Sequence, residues 1–147
     1  DPTKADPLWS IRRNISKALK EMATVRVSED ISVPVSRFPE LVAYVARRNA
    51  ASSLRVNSFG HAGDGNLHVN FLSMTGSETD RHLIETEVDS LMAKTLELGG
   101  TITGEHGVGL AKRKYLALEF DRPTLTAMTA LKSVFDPHAL FNPGKIF

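Results

Sequence analysis

The chain has 147 residues, a formal net charge of +1, five histidines and no cysteine. That length suffices for one domain with its own core, and the interspersed, near-neutral charge gives no reason to invoke nucleic acid or an anionic membrane. The missing thiols exclude disulfides, cysteine-ligated zinc and thiol catalysis; with no signal peptide and no apolar run near the roughly 18 residues of a transmembrane helix, they point to a cytoplasmic protein. Leu8, Ile11, Ile15, Ala18, Leu19 and Met22 recur at helical spacing and predict an amphipathic helix over 7–23. Asp30-Ile31-Ser32-Val33-Pro34-Val35 reads as a short extended stretch stopped by proline. Ser36 is the expected N-cap, with Pro39 in the first turn, of a helix reaching Arg48. Strand-like stretches at 54–61 and 66–73 flank Asp64-Gly65. Ser77-Glu78-Thr79-Asp80 resembles a capping box, opening a helix that Ile84, Val88, Leu91 and Thr95 carry to Gly99-Gly100. Thr101-Ile102-Thr103 is a further short β segment, a helix is predicted over 108–118, and a last one over 123–135 ends at Asp136-Pro137.

After the first helix the order is β-α-β-β-α-β with two helices appended. That order predicts the α+β class, with a ferredoxin-like antiparallel sheet, helices on one face and additional C-terminal helices. Residues 1–147 read as one domain without repeat or linker, and the opening Asp1-Pro2-Thr3-Lys4, lacking a methionine, reads as a segment of something longer.

The chemistry gathers in two stretches, Gly60-His61-Ala62-Gly63-Asp64-Gly65-Asn66-Leu67-His68 and Gly104-Glu105-His106-Gly107. Asp-Gly is the dipeptide that best supports a two-residue type I′ hairpin. With Asp64-Gly65 as that loop, His61 stands directly opposite His68, their Cβ atoms about 4.5–5.5 Å apart. Two imidazoles so placed suit one divalent ion, to which Glu105 adds a carboxylate oxygen. The residues alone leave the plainer reading open, a polar hairpin face whose glycines merely shape the turn. Leu67, Val69 and Phe71 alternate with Asn66, His68 and Asn70, giving one apolar face and one face of ligand-type residues that lines a cavity. His82 and His138 read as ordinary surface histidines, Arg12-Arg13 as either a solvated helix face or a substrate clamp, and Trp9 as a core or interface aromatic.

Gly60–Gly65 has the form G-x-x-G-x-G inside a hairpin, which is not the dinucleotide fingerprint. No P-loop, G-x-S-x-G elbow or H-E-x-x-H motif is present.

Ser58-Phe59-Gly60-His61-Ala62-Gly63-Asp64-Gly65-Asn66-Leu67-His68, Gly99-Gly100-Thr101-Ile102-Thr103-Gly104-Glu105-His106-Gly107-Val108-Gly109 and Phe141-Asn142-Pro143-Gly144-Lys145 together resemble the C-terminal domain of FAD-linked oxidases. Within that family they resemble the branch of vanillyl-alcohol oxidase type flavoproteins holding D-lactate dehydrogenase, the glycolate oxidase GlcD subunit and D-2-hydroxyglutarate dehydrogenase. Trp9-x-x-Arg12 and Glu29-Asp30-Ile31-Ser32-Val33-Pro34 share the resemblance, which extends over nearly the whole chain.

The resemblance implies a substrate or cap domain of an FAD-dependent 2-hydroxy-acid dehydrogenase, partnered by its own N-terminal FAD-binding domain, which these residues do not include. It implies a divalent metal, zinc or manganese, on His61, His68 and Glu105, with His106 as the base. Asn70 becomes a substrate-contacting amide, Arg12 the clamp for the substrate carboxylate, and Asn142 a neighbour of the flavin. Ser16 stands where hydroxyglutarate-type members carry threonine, and no lysine occurs around Arg26-Val27-Ser28. The electron acceptor and homo-oligomerisation are left open. The alternative class is a metal-binding or assembly module without redox chemistry of its own.

Overall fold

The alternation along one central strand decides where the core lies and where the site lies. In the computed structural model, which describes residues 2–147 with side chains from residue 5 onward, β1 (Val25–Ser32), β2 (Arg55–His61) and β3 (Asn66–Ser73) form an antiparallel sheet in the order β1-β3-β2. Flanked on both sides, β3 is buried along its whole length. Leu67, Val69 and Phe71 project to one face, in register with Ile31, Glu29 and Val27 of β1. Against that face α2 (Phe38–Ala51) packs Leu41 and Val45, and α3 (Glu78–Glu97) packs Ile84, Val88, Leu91 and Met92. The expected α+β architecture with an antiparallel sheet is therefore what forms.

The other face carries Asn66, His68 and Asn70, and side chains of α1 (Pro2–Glu21) reach its edge. Arg26 on β1 donates to the Ser16 carbonyl and hydroxyl, and the Arg12 guanidinium sits 4.9 Å from the Phe59 ring centroid. The expected fourth β segment shrinks to one bridge, Thr101 to Ser32 on the outer edge of β1. Beyond it the Ile102 N–H donates to Glu119 Oε2, and those of Gly104, Glu105 and His106 turn onto the Asp30 carboxylate, which ends the strand.

Three local expectations are corrected. Asp64-Gly65 is not a two-residue loop: Ala62–Asp64 form a 3-10 turn that Gly65 closes in the left-handed region, φ 70°. A side chain there would place Cβ 1.9 Å from the Val33 carbonyl oxygen, so only glycine fits. Val33 N–H also donates to the Gly65 carbonyl, tying this turn to the end of β1. The longer turn makes His61 oppose Asn66, and His68 oppose Phe59. The helix expected over 108–118 is replaced by turns, a 3-10 turn at Arg113–Tyr115 and the single-turn α4 (Leu116–Glu119). Gly107 and Gly109, at φ 80° and 56°, break the helical path, and Lys112 is drawn in to the edge of β1. Ser36 does not cap α2: it lies in the Val35–Arg37 3-10 turn, and Arg37 occupies the N-cap without a side-chain bond. Ser77 does cap α3, accepting from Asp80 N–H, and Asp121 likewise caps α5 (Arg122–Phe135). Among the described residues no helix is long and apolar enough to cross a membrane.

Candidate metal centre and substrate cleft

The register correction leaves the histidine pair intact, because a slide of two residues preserves the face on which each side chain projects. His61 and His68 are diagonal neighbours with ring centroids 5.8 Å apart, edge to face. The glycine-flanked turn after Thr103 brings Glu105 to them: its Oε1 lies 3.0 Å from His68 Nε2 and 3.9 Å from His61 Nε2. Two ligands each about 2.0–2.2 Å from a tetrahedral zinc lie about 3.3–3.6 Å apart, so these spacings straddle what one ion requires. His68 is 6% exposed, and burial pushes its pKa down more than nearby Asp30 and Glu105 raise it. It therefore presents a neutral imidazole with a lone pair to give. His61 and Glu105 are about half exposed, which leaves the ion position open to a further ligand. Two imidazoles, one carboxylate and an open side form a donor set suited to catalytic zinc.

A second trio, Asp30, His68 and His106, also has donor atoms within 4.8 Å of one another. Most of its carboxylate's acceptor capacity is already taken up. Asp30 is fully buried, and Oδ2 accepts the backbone N–H groups of Gly104, Glu105 and His106 at 2.8–3.0 Å and the Thr103 hydroxyl at 3.3 Å. Oδ1 accepts Asn66 Nδ2 at 2.7 Å. Burial alone would raise this carboxyl, but the His106 and Glu105 N–H groups, the Asn66 amide and the Lys112 ammonium outweigh it and hold the group far below the usual carboxylate range. Such an oxygen pair has little left to offer a metal. The His61, His68 and Glu105 set is the better candidate centre.

These three side chains open onto a cleft of about 200 Å³ lined also by Arg12, Ser16, Arg26, Ser28, Phe59 and His106. His106 stacks on His68 with ring centroids 5.2 Å apart and planes 23° apart. Phe59, opposite His68, forms the platform for Arg12. The cleft thus assembles five of the residues singled out in the sequence: Arg12, His61, His68, Glu105 and His106. Asn70 is not on its lining; it is fully buried, accepting from Arg26 Nε at 2.8 Å and donating to the Asn57 carbonyl at 3.4 Å. Asn142 stands in a separate cleft of about 540 Å³, with Gly107, Lys132, Phe141 and Lys145, and His106 lines both. Trp9 is 60% exposed, which rules out the core role for it.

Asp30, Arg26 and Phe59 had no assigned role in the sequence reading, although a signal for the first two was present. Arg26, Ser28, Asp30 and Ser32 alternate with Val25, Val27 and Ile31, the same two-faced pattern that marked β3.

Residues 1–146 match the family described as FAD linked oxidases, C-terminal domain. The glycolate oxidase subunit GlcD of Bacillus subtilis is 38% identical over 144 residues, covering 98% of this chain and 31% of that protein. A D-lactate dehydrogenase of Anaerostipes hadrus is 38% identical over 147 residues, covering 99% of this chain and 31% of the relative. A D-2-hydroxyglutarate dehydrogenase of Xanthomonas citri pv. viticola is 36% identical over 148 residues, covering 98% and 31%. The chain spans just under a third of each relative's length, and with a match this continuous it belongs to the FAD-linked oxidases, as their C-terminal domain.

Proposed function

We propose that this domain binds a small 2-hydroxy acid and a divalent metal, zinc or manganese, within an FAD-dependent dehydrogenase of the D-lactate, glycolate or D-2-hydroxyglutarate type. The observation that carries the reading is the convergence of His61, His68, Glu105, His106 and Arg12 on one small cleft. When bound, the metal would supply Lewis acidity toward the substrate hydroxyl, and the flavin would supply the acceptor for the Cα hydride.

The chain's own residues do the rest. His61, His68 and Glu105 hold the ion. His106, stacked beside His68, takes the hydroxyl proton on an imidazole nitrogen. Arg12, braced on Phe59, pairs with the substrate carboxylate in fork geometry. Arg26 brings a second guanidinium to the same cleft and suits a second anionic group on the acid. Asn70 acts from beneath by fixing Arg26. His106 lines both this cleft and the one containing Asn142, the residue that would neighbour the flavin. The FAD-binding domain is the partner this assignment requires.

The test is a panel of D- and L-2-hydroxy acids with the full-length flavoprotein and an artificial acceptor dye. Dye reduction is expected with D-lactate, glycolate or D-2-hydroxyglutarate, to be lost on exhaustive chelation and restored by zinc or manganese. Activity indifferent to chelation removes the metal from the reading. A flavoprotein that no acid reduces leaves the metal-binding or assembly module in its place.

A further inference from the structure

Asp30 is the point where β1, β3 and the Gly104–Gly107 turn meet. It has no solvent exposure, and the same carboxylate oxygen collects three consecutive backbone N–H groups, Gly104, Glu105 and His106. Two of those residues are the carboxylate and the base of the cleft. The other oxygen lies 3.7 Å from His68 Nδ1, on the side of the ring away from Glu105. Gly104 shows how close this seat is: a Cβ there would stand 2.0 Å from Asn66 Nδ2 and 2.8 Å from Asp30 Oδ1.

We infer that Asp30 is the positioning residue of the site, the buried carboxylate that seats Glu105 and His106 through their backbone and turns the Nε2 of His68 toward the ion. The inference rests on the metal reading above and deepens it. Three N–H groups converging on one anion fix the local path of the turn, so the Glu105 and His106 side chains leave it in fixed directions. A carboxylate facing Nδ1 favours the tautomer that carries its proton there, which frees the Nε2 lone pair for a metal; such outer partners typically change metal affinity by about 10–100-fold when removed. Asn66 completes the seat, its Nδ2 shared between Asp30 Oδ1 at 2.7 Å and the Ile31 carbonyl at 3.0 Å. Lys112 closes it from the edge, donating to the Asp30 carbonyl with its ammonium 4.0 Å from Oδ2.

The experiment is zinc binding by the full chain in competition with a chromophoric chelator, with the visible spectrum of the Co(II) form and amide exchange over 104–106 recorded on the same proteins. Asp30→Asn is expected to weaken zinc by about 10–100-fold, shift the Co(II) bands and speed exchange in the turn. A merely structural residue would lower the melting temperature yet leave the folded protein's zinc affinity and Co(II) spectrum unchanged. That result overturns the inference. Should Asp30→Asn fail to fold, Gly104→Ala displaces the turn without removing the buried charge. It is expected to weaken zinc in the same way, and unchanged affinity there overturns the inference equally. Wild-type chain that binds no zinc defeats the metal reading instead; exchange then decides alone, and unchanged exchange over 104–106 in Asp30→Asn rejects the positioning role.

Discussion

Two adjacent carboxylates on β1 meet opposite fates because a strand turns them to opposite faces. Asp30 reaches the polar side and is fully solvated by protein donors. Glu29 reaches the core side in register with Val69, 7% exposed, and its Oε2 finds no hydrogen-bond donor among the described residues, with Lys112 Nζ at 3.8 Å. Burial raises the Glu29 pKa against the pull of Lys112, and burial lowers that of Lys112 against the pull of Glu29 and Asp30. Removing one partner strands the other, so Lys112→Met is expected to cost about 3–5 kcal/mol in urea unfolding, while Glu29→Met combined with Lys112→Met recovers most of that loss. Equal stabilities for the two variants would show that the pair is not coupled. The pH signs differ too. Asp30, depressed on folding, contributes stability present above its unfolded value near 3.8 and lost as pH falls through the acid range. Glu29, raised on folding, contributes in the other sense: its share is present below 4.5 and lost as pH climbs toward its folded value. Asp30→Asn should therefore flatten the acid limb of a stability-against-pH curve, and an unchanged limb would contradict the carboxylate's depressed titration. Within the site, His106→Ala in the flavoenzyme is expected to reduce kcat by about 10²–10⁴-fold, whereas Arg12→Ala acts mainly on KM. Normal turnover by His106→Ala would assign the base elsewhere. The histidines and Glu105 were legible in the sequence because residue type and a turn signal coincided. Asp30 was not, because its role consists of backbone partners 74–76 positions away.

At the scale of the element, the hairpin shows which errors a sequence reading survives. The Asp64-Gly65 signal located the turn but not its length, since the contact that selects the longer turn is made with Val33, outside the hairpin. Parity protected the conclusion, because strands alternate with a period of two residues. Gly65→Ala combines a left-handed backbone with a side chain driven into the Val33 carbonyl, and is expected to destabilise by about 1–3 kcal/mol or more, read as a lowered melting temperature. An unchanged melting temperature would mean that the turn adopts another path without cost. The α3 cap tests the reverse case, in which sequence and structure agree. Ser77 accepts from Asp80 N–H at 3.2 Å, and Ser77→Ala is expected to cost about 1 kcal/mol. The capping-box reading was right about the serine, yet the Asp80 carboxylate does not reach back to it; it accepts the Ser73 and Thr75 hydroxyls instead and so ties β3 to α3. The loss of the helix expected over 108–118 was not legible, because its apolar spacing is overruled by Gly107 and Gly109 and by Lys112 reaching the sheet edge.

For the molecule as a whole, the distribution of apolar side chains separates what holds the domain together from what faces outward. The core is supplied by the sheet with α2 and α3, through residues such as Ile31, Leu41, Val69, Phe71, Leu91 and Met92 that are almost fully buried. Leu8, Trp9 and Ile11 on α1, and Leu131, Val134, Phe135, Leu140 and Phe141 toward the C-terminal end, are instead 60–81% exposed. None of these outer residues belongs to the core cluster, so the 147 residues are expected to fold cooperatively without any partner. The same chain is expected to be catalytically silent. Hydride transfer requires an acceptor, and the chain contains neither a dinucleotide fingerprint nor a P-loop to seat one. Asn142 and the tail around it line an open cleft, but that short stretch offers no enclosure for a whole FAD. Purified chain should therefore be colourless, without flavin absorption, and should not reduce dye on addition of D-lactate, glycolate or D-2-hydroxyglutarate, while showing a single cooperative melt. Joining it to a flavin-binding domain should supply both colour and turnover, and the relatives, about three times as long, leave room for one. Stoichiometric FAD on the isolated chain, or turnover by it, would move the cofactor site into these residues. A chain that fails to melt cooperatively would instead make the exposed apolar surfaces part of the fold's own stability.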